Sequence, residues 1–113
     1  MQKYALNKHV SLIQADINSY YDEIKDDSID FVHLDISNDG NKLKDFVDKY
    51  YNKLKQGSIF VFEGGSHKRD EIEWMIKYNK EPIQLFLNNS SFKEKFNFFV
   101  LRPFPSITIC EKI

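Results

Sequence analysis

Cysteine, proline and glycine are scarce in this sequence. The single cysteine, Cys110, excludes an internal disulfide and any metal site built on several thiolates, which is compatible with a reducing compartment. The three prolines and four glycines fall mostly between patterned segments, and there is no repeat, low-complexity tract or linker. An excess of charge of one sign is missing too. Sixteen basic residues nearly balance seventeen acidic ones, so nothing global draws the chain to nucleic acid or to an anionic membrane. No apolar run reaches the roughly 18 residues that cross a bilayer, and the first residues, Met-Gln-Lys-Tyr-Ala-Leu-Asn-Lys, hold no apolar signal core. The expectation is a soluble cytoplasmic protein with neither membrane nor nucleic-acid partner. With 42% apolar and 15% aromatic residues, the 113-residue chain is expected to form one domain, residues 1–113, burying roughly two thirds of its unfolded surface.

Strand-like and helix-like segments alternate along the chain. Val10 to Ile13 is a short β-branched run ending at Ala15-Asp16, and Asn18 stands ready to cap a short helix over Ser19 to Lys25. Ile29 to Leu34 is nearly apolar on both faces, the mark of a strand inside a sheet. Leu43, Phe46, Val47, Tyr50, Tyr51 and Leu54 then form one helical stripe, with Gly57 as the expected stop. Ser58 to Glu63 reads as a third strand, broken by Gly64-Gly65. Ser66 caps a predicted helix carrying Ile72, Met75 and Ile76, which ends before Pro82. The segment from Ile83 to Lys95 is ambiguous between strand and helix, with a loop at Asn88 to Ser91. Phe96 to Leu101 and Ser106 to Cys110 are joined by a link too short for a parallel return, so they form an antiparallel hairpin. The predicted class is α/β, with parallel strands, helices and a C-terminal antiparallel hairpin. Ligands of open α/β sheets bind at the carboxyl ends of strands, which here carry Asp16, Asp35 and Glu63.

"DFVHLDIS" resembles the phospho-acceptor strand of receiver domains. The acidic pair and the Lys-Pro step of that family are absent, however, so the resemblance goes no further. A second resemblance covers most of the chain. "VSLIQADI", "IDFVHLDISNDG", "NKLKQGSIFVFEGG" and "FNFFVLRPFPSITICEKI" resemble, in order and spacing, the C-terminal half of a class I S-adenosylmethionine-dependent methyltransferase, a Rossmann-like fold whose last hairpin is reversed. Within that family "HLDISNDG" is similar to a motif of small-molecule and sugar O-methyltransferases. The resemblance implies that Asp16 meets the adenine of S-adenosylmethionine and that Asp35 lies near its methionine end and the substrate. It also implies that Asp35 and Glu63, with Asn38 or Asp39 nearby, could hold magnesium through hard oxygen ligands. His67, opening a helix after Gly-Gly, is the candidate general base.

Each of these residues also has a plainer reading. Asp16 can cap the short helix, Asp35 can brace its loop, Glu63 can be a solvated strand end and His67 an exposed first-turn residue. His33 reads as a hydrogen-bonded core or groove residue. Arg69, Asp70 and Glu71 read as a solvated helical turn, Trp74 and Tyr78 as packing, and Cys110 as a small core residue. The family's G-x-G-x-G loop and its ribose carboxylate are not among these residues. The expectation is therefore a methyltransferase-like domain, partial and inactive by itself, that acts on a small-molecule or sugar hydroxyl when complemented. The alternative is a non-catalytic interaction module. In the complete fold that the resemblance implies, a missing N-terminal half lies beside Ile29 to Leu34; without it the edge is covered either by Val10 to Ile13 within one chain or by a second copy, and the expectation is the homodimer.

Overall fold

A computed structural model describes residues 8–113. Its centre is a four-stranded sheet in the order β1-β2-β4-β3, formed by β1 (Ile29–Leu34), β2 (Leu54–Glu63), β3 (Phe96–Leu101) and β4 (Ile107–Lys112). β1 and β2 pair in parallel, with Val32 opposite Phe60 and Leu34 opposite Phe62. β4 lies antiparallel between β2 and β3, so it alone runs against the other three strands. Mixed α/β character and the C-terminal hairpin match the sequence reading, but the sheet has only one parallel pair.

The helices explain which face is buried. α2 (Gly40–Tyr50) starts where the Asp39 carboxylate accepts from the Lys42 N–H at 2.9 Å, and it buries Leu43, Phe46, Val47 and Tyr50. These side chains meet the face bearing Leu34, Phe60, Phe62 and Cys110. Four short helices, α3 (His67–Asp70), α4 (Glu73–Lys77), α5 (Ile83–Leu87) and α6 (Ser90–Lys95), carry the chain from β2 to β3. Phe86 and Phe92 join Phe62 and Phe96 in a run of ring contacts, with centroids 4.4 to 6.2 Å apart. The register puts His33, Val61, Ile109 and Phe99 in one row across the opposite face, and none of them is buried. Among the described residues that face has no helix over its centre.

Four expectations are corrected. Val10 to Ile13 forms no strand. Leu12 and Ile13 are 83% and 60% exposed, because a four-residue strand needs a ladder partner and none is beside it among the described residues. β1 is consequently an edge of the sheet among the described residues. The short helix is α1 (Ile17–Tyr20), followed by a single 3-10 turn at Tyr21–Glu23, rather than Ser19 to Lys25. Gly57 does not stop α2. It sits inside β2 with φ +81, and the helix ends earlier through a 3-10 turn at Tyr51–Lys53. Lastly, the helix after Ser66 is split into α3 (His67–Asp70) and α4, leaving Ile76 exposed.

Candidate functional site

The site grows from the turn that follows β2. Gly64 and Gly65 have φ of +113 and +123, a region that side chains strongly disfavour. Neither has room for a Cβ. At Gly64 it would lie 2.5 Å from Ile83 Cδ1, and at Gly65 it would collide with Thr108 Oγ1. The hairpin clamps this turn, since the Gly64 N–H donates to Ser106 O at 2.9 Å and Thr108 Oγ1 donates to Gly64 O at 2.8 Å. Ser66 then caps α3, its hydroxyl accepting from the Arg69 N–H at 3.2 Å. That turn sends Arg69 back over the end of β2.

Arg69 is only 3% exposed. Its Nε donates to Glu63 Oε2 at 2.5 Å and its Nη2 to the backbone oxygen of Asn38 at 3.0 Å. The guanidinium also lies over Trp74, 5.5 Å from the ring centroid. Asn38, fully buried, donates from Nδ2 to Glu63 O at 2.9 Å and so ties the loop after β1 to the end of β2. Two atoms of this cluster, Arg69 Nη1 and Asn38 Oδ1, are buried without a hydrogen-bond partner in the protein. Beside it opens a cleft of about 630 Å³, walled by Lys42, Glu63, Arg69, Trp74, Lys80 and Phe104. A smaller cleft of about 240 Å³ between α2, α5 and α6 shares no residue with it and touches no strand end.

The candidates named from the sequence separate. Glu63 is in the cleft, but its carboxylate is committed to Arg69. Asp35 stands exposed just past β1 and does not line the cleft. Asp16 caps α1, its carboxylate accepting from the Asn18 N–H at 2.9 Å. His67 is exposed in the first turn of α3 and borders a separate shallow pocket with Arg102 and Phe104. His33 is not a core residue; it is exposed on the open sheet face. Asn38 is buried in the cluster and Asp39 is spent on capping α2.

Magnesium does not fit this donor set. Arg69 already neutralises Glu63, and among the described residues no three His, Cys, Asp or Glu side chains converge. S-adenosylmethionine does not fit these residues alone either. Asp16 and Asp35 are both exposed, and among the described residues the free edge of β1 has no strand beside it to carry a methionine-binding loop.

Sequence reading missed Arg69, Asp70 and Lys80. Arg69 and Asp70 looked like a solvated turn. In fact Asp70 accepts from the backbone N–H groups of Ile83 at 2.8 Å and Gln84 at 3.0 Å, so it caps α5 from a distance. The available signal was the Gly-Gly turn between Glu63 and Arg69, which reverses the chain and lets an acid and a base six residues apart meet. No described helix is long and apolar enough to cross a membrane. No model of a known protein family matches the chain, and no curated protein matches it.

Proposed function

We propose that this chain is the C-terminal part of an S-adenosylmethionine-dependent methyltransferase acting on a small-molecule or sugar hydroxyl. One observation carries the reading: the strand order β1-β2-β4-β3, with a reversed last strand inserted beside β2. That order agrees with the half-fold implied by the sequence resemblance. In the family, the strand bearing the cofactor loop would lie against the edge of β1 that is free among the described residues. S-adenosylmethionine, when bound, supplies an electrophilic methyl group. This chain contributes the acceptor's side of the site: Asp35 past β1 and the Glu63–Arg69–Asn38 cluster past β2. Fold analogy does not by itself fix a reaction, and magnesium has no role in this reading because of the donor set described above.

The test is methyl transfer by the protein expressed from its complete reading frame, with hydroxyl-bearing small molecules and sugars as acceptors. Asp35→Asn is expected to lose at least tenfold in rate, about 1.4 kcal/mol. Asp22→Asn, an exposed position in the turn after α1, is expected to change nothing. Equal effects at equal stability, or no transfer to any acceptor, overturn the reading. The 113-residue chain alone is expected to bind S-adenosylmethionine more weakly than micromolar, about −8 kcal/mol. A second reading, a non-catalytic interaction module, draws support from the open apolar sheet face around Val61 and Phe99.

A further inference from the structure

The cleft past β1 and β2 holds more positive charge than it neutralises. Three cationic side chains, Lys42, Arg69 and Lys80, line it against one carboxylate, Glu63. Lys42 and Lys80 are both half-buried, and among the described residues neither has an ion pair. Asp39 and Asp45 both stand three residues from Lys42; the Asp39 carboxylate is turned to the backbone of α2, and Asp45 makes no ion pair with Lys42. Arg69 adds a buried guanidinium whose Nη1 has no partner in the protein. Partly buried ammonium groups facing a shared cleft repel one another and lose hydration, so the arrangement favours an anion between them. Apart from Ser37 the remaining wall is apolar: half-buried Trp74, with Ile36, Ile72, Phe104 and Pro105. Such a wall suits the C–H face of a sugar ring or another flat ring.

We propose that this cleft binds an anionic sugar, with its phosphate or carboxylate held by Lys42 and Lys80 and its ring against Trp74. Arg69, pinned by Glu63 and Asn38, fixes the floor of the cleft, and the two lysines supply its net positive charge. That the bound sugar is also the methyl acceptor rests on the function proposed above, whereas the binding itself does not.

Calorimetric titration of the 113-residue chain, without S-adenosylmethionine, is the experiment. The probes are glucose 6-phosphate, glucuronate, neutral glucose and inorganic phosphate. The two charged sugars are expected to bind, and glucose at least tenfold more weakly. Whether phosphate or carboxylate is preferred follows from the first two. Lys42→Gln and Lys80→Gln are each expected to weaken binding about tenfold, with Lys80→Arg restoring most of the loss. Lys93→Gln, on the exposed side of α6, is expected to bind as the parent does. Both lysine positions are at the surface of the fold, so thermal melts are expected to be unchanged. Glucose binding as tightly as its phosphate, no binding by either charged sugar, or parent-like affinity in both lysine-to-glutamine variants would overturn the proposal. Inorganic phosphate binding as tightly as glucose 6-phosphate would overturn the role given to Trp74. Binding without methyl transfer in the complete protein would leave the anion site standing and remove only the methyltransferase reading.

Discussion

Cys110 and Arg69 show how differently burial treats two reactive groups. Around the buried Arg69 guanidinium, Glu63, Asn38 and Trp74 stand where water would otherwise be. Cys110 has no such help. It is fully buried on β4, opposite Phe60 and Phe98, and burial pushes its thiol from an ordinary 9.0 up to about 12. The folded chain thus holds this proton more tightly than the unfolded chain does. The resulting stability is complete below pH 9 and drains away as pH rises toward 12. Alkylation by iodoacetamide at pH 8 is expected to be slow in the folded protein and to speed up by orders of magnitude in denaturant. Above pH 9 the parent is expected to lose stability more steeply than Cys110→Ala. Fast labelling of the native protein would mean that β4 is not the inner strand described.

Among the elements, α5 depends most on a single distant side chain. It begins after Pro82 with no cap of its own, and the Asp70 carboxylate from α3 accepts both of its first free N–H groups. Asp70→Ala is expected to cost about 1–2 kcal/mol in denaturant melts, and Asp70→Asn less, because one acceptor oxygen survives. A cost no greater than that of Glu71→Ala, an exposed neighbour, would mean that α5 is held by packing alone. The same element marks the limit of what the sequence made legible. The bounds of β1 and β3 are legible in the sequence because their runs are apolar and sharply bracketed. The start of β2 is not legible: the sequence points to Ser58, four residues late, because Leu54 also continues the helical stripe and is buried in either assignment. Ile83 to Lys95 stayed ambiguous because its two helices have five and six residues, too short to display a period. At the site, strand-end carboxylates were visible one by one. Their pairing was not, since it depends on a backbone reversal at Gly64-Gly65 that aims Arg69 at Glu63.

For the whole molecule, the unequal covering of the sheet has the largest consequence. One face is packed under α2, α5 and α6, whereas the other leaves Phe31 60% and Phe99 54% exposed. The free edge of β1 adjoins that open face, and its backbone groups on that side have no ladder partner among the described residues. Only Asp30 and His33 are polar along the strand. The Asp30–Lys55 pair at 2.9 Å is well exposed and contributes at most about 1 kcal/mol, too little to deter pairing. The 113-residue chain is therefore expected to self-associate, most simply as a dimer in which the two β1 edges meet about a two-fold axis. Such pairing would satisfy the free backbone groups and shelter Phe31 at once. Light scattering after size exclusion, over a tenfold dilution, is expected to give twice 13.4 kDa at the highest concentration and a fall toward 13.4 kDa on dilution. Phe31→Lys puts a charge beside that edge and is expected to give a monomer with a melt close to the parent's. A mass of 13.4 kDa at every concentration, together with a cooperative melt, would mean that the open edge and face are tolerated in water and that β1 is not an interface.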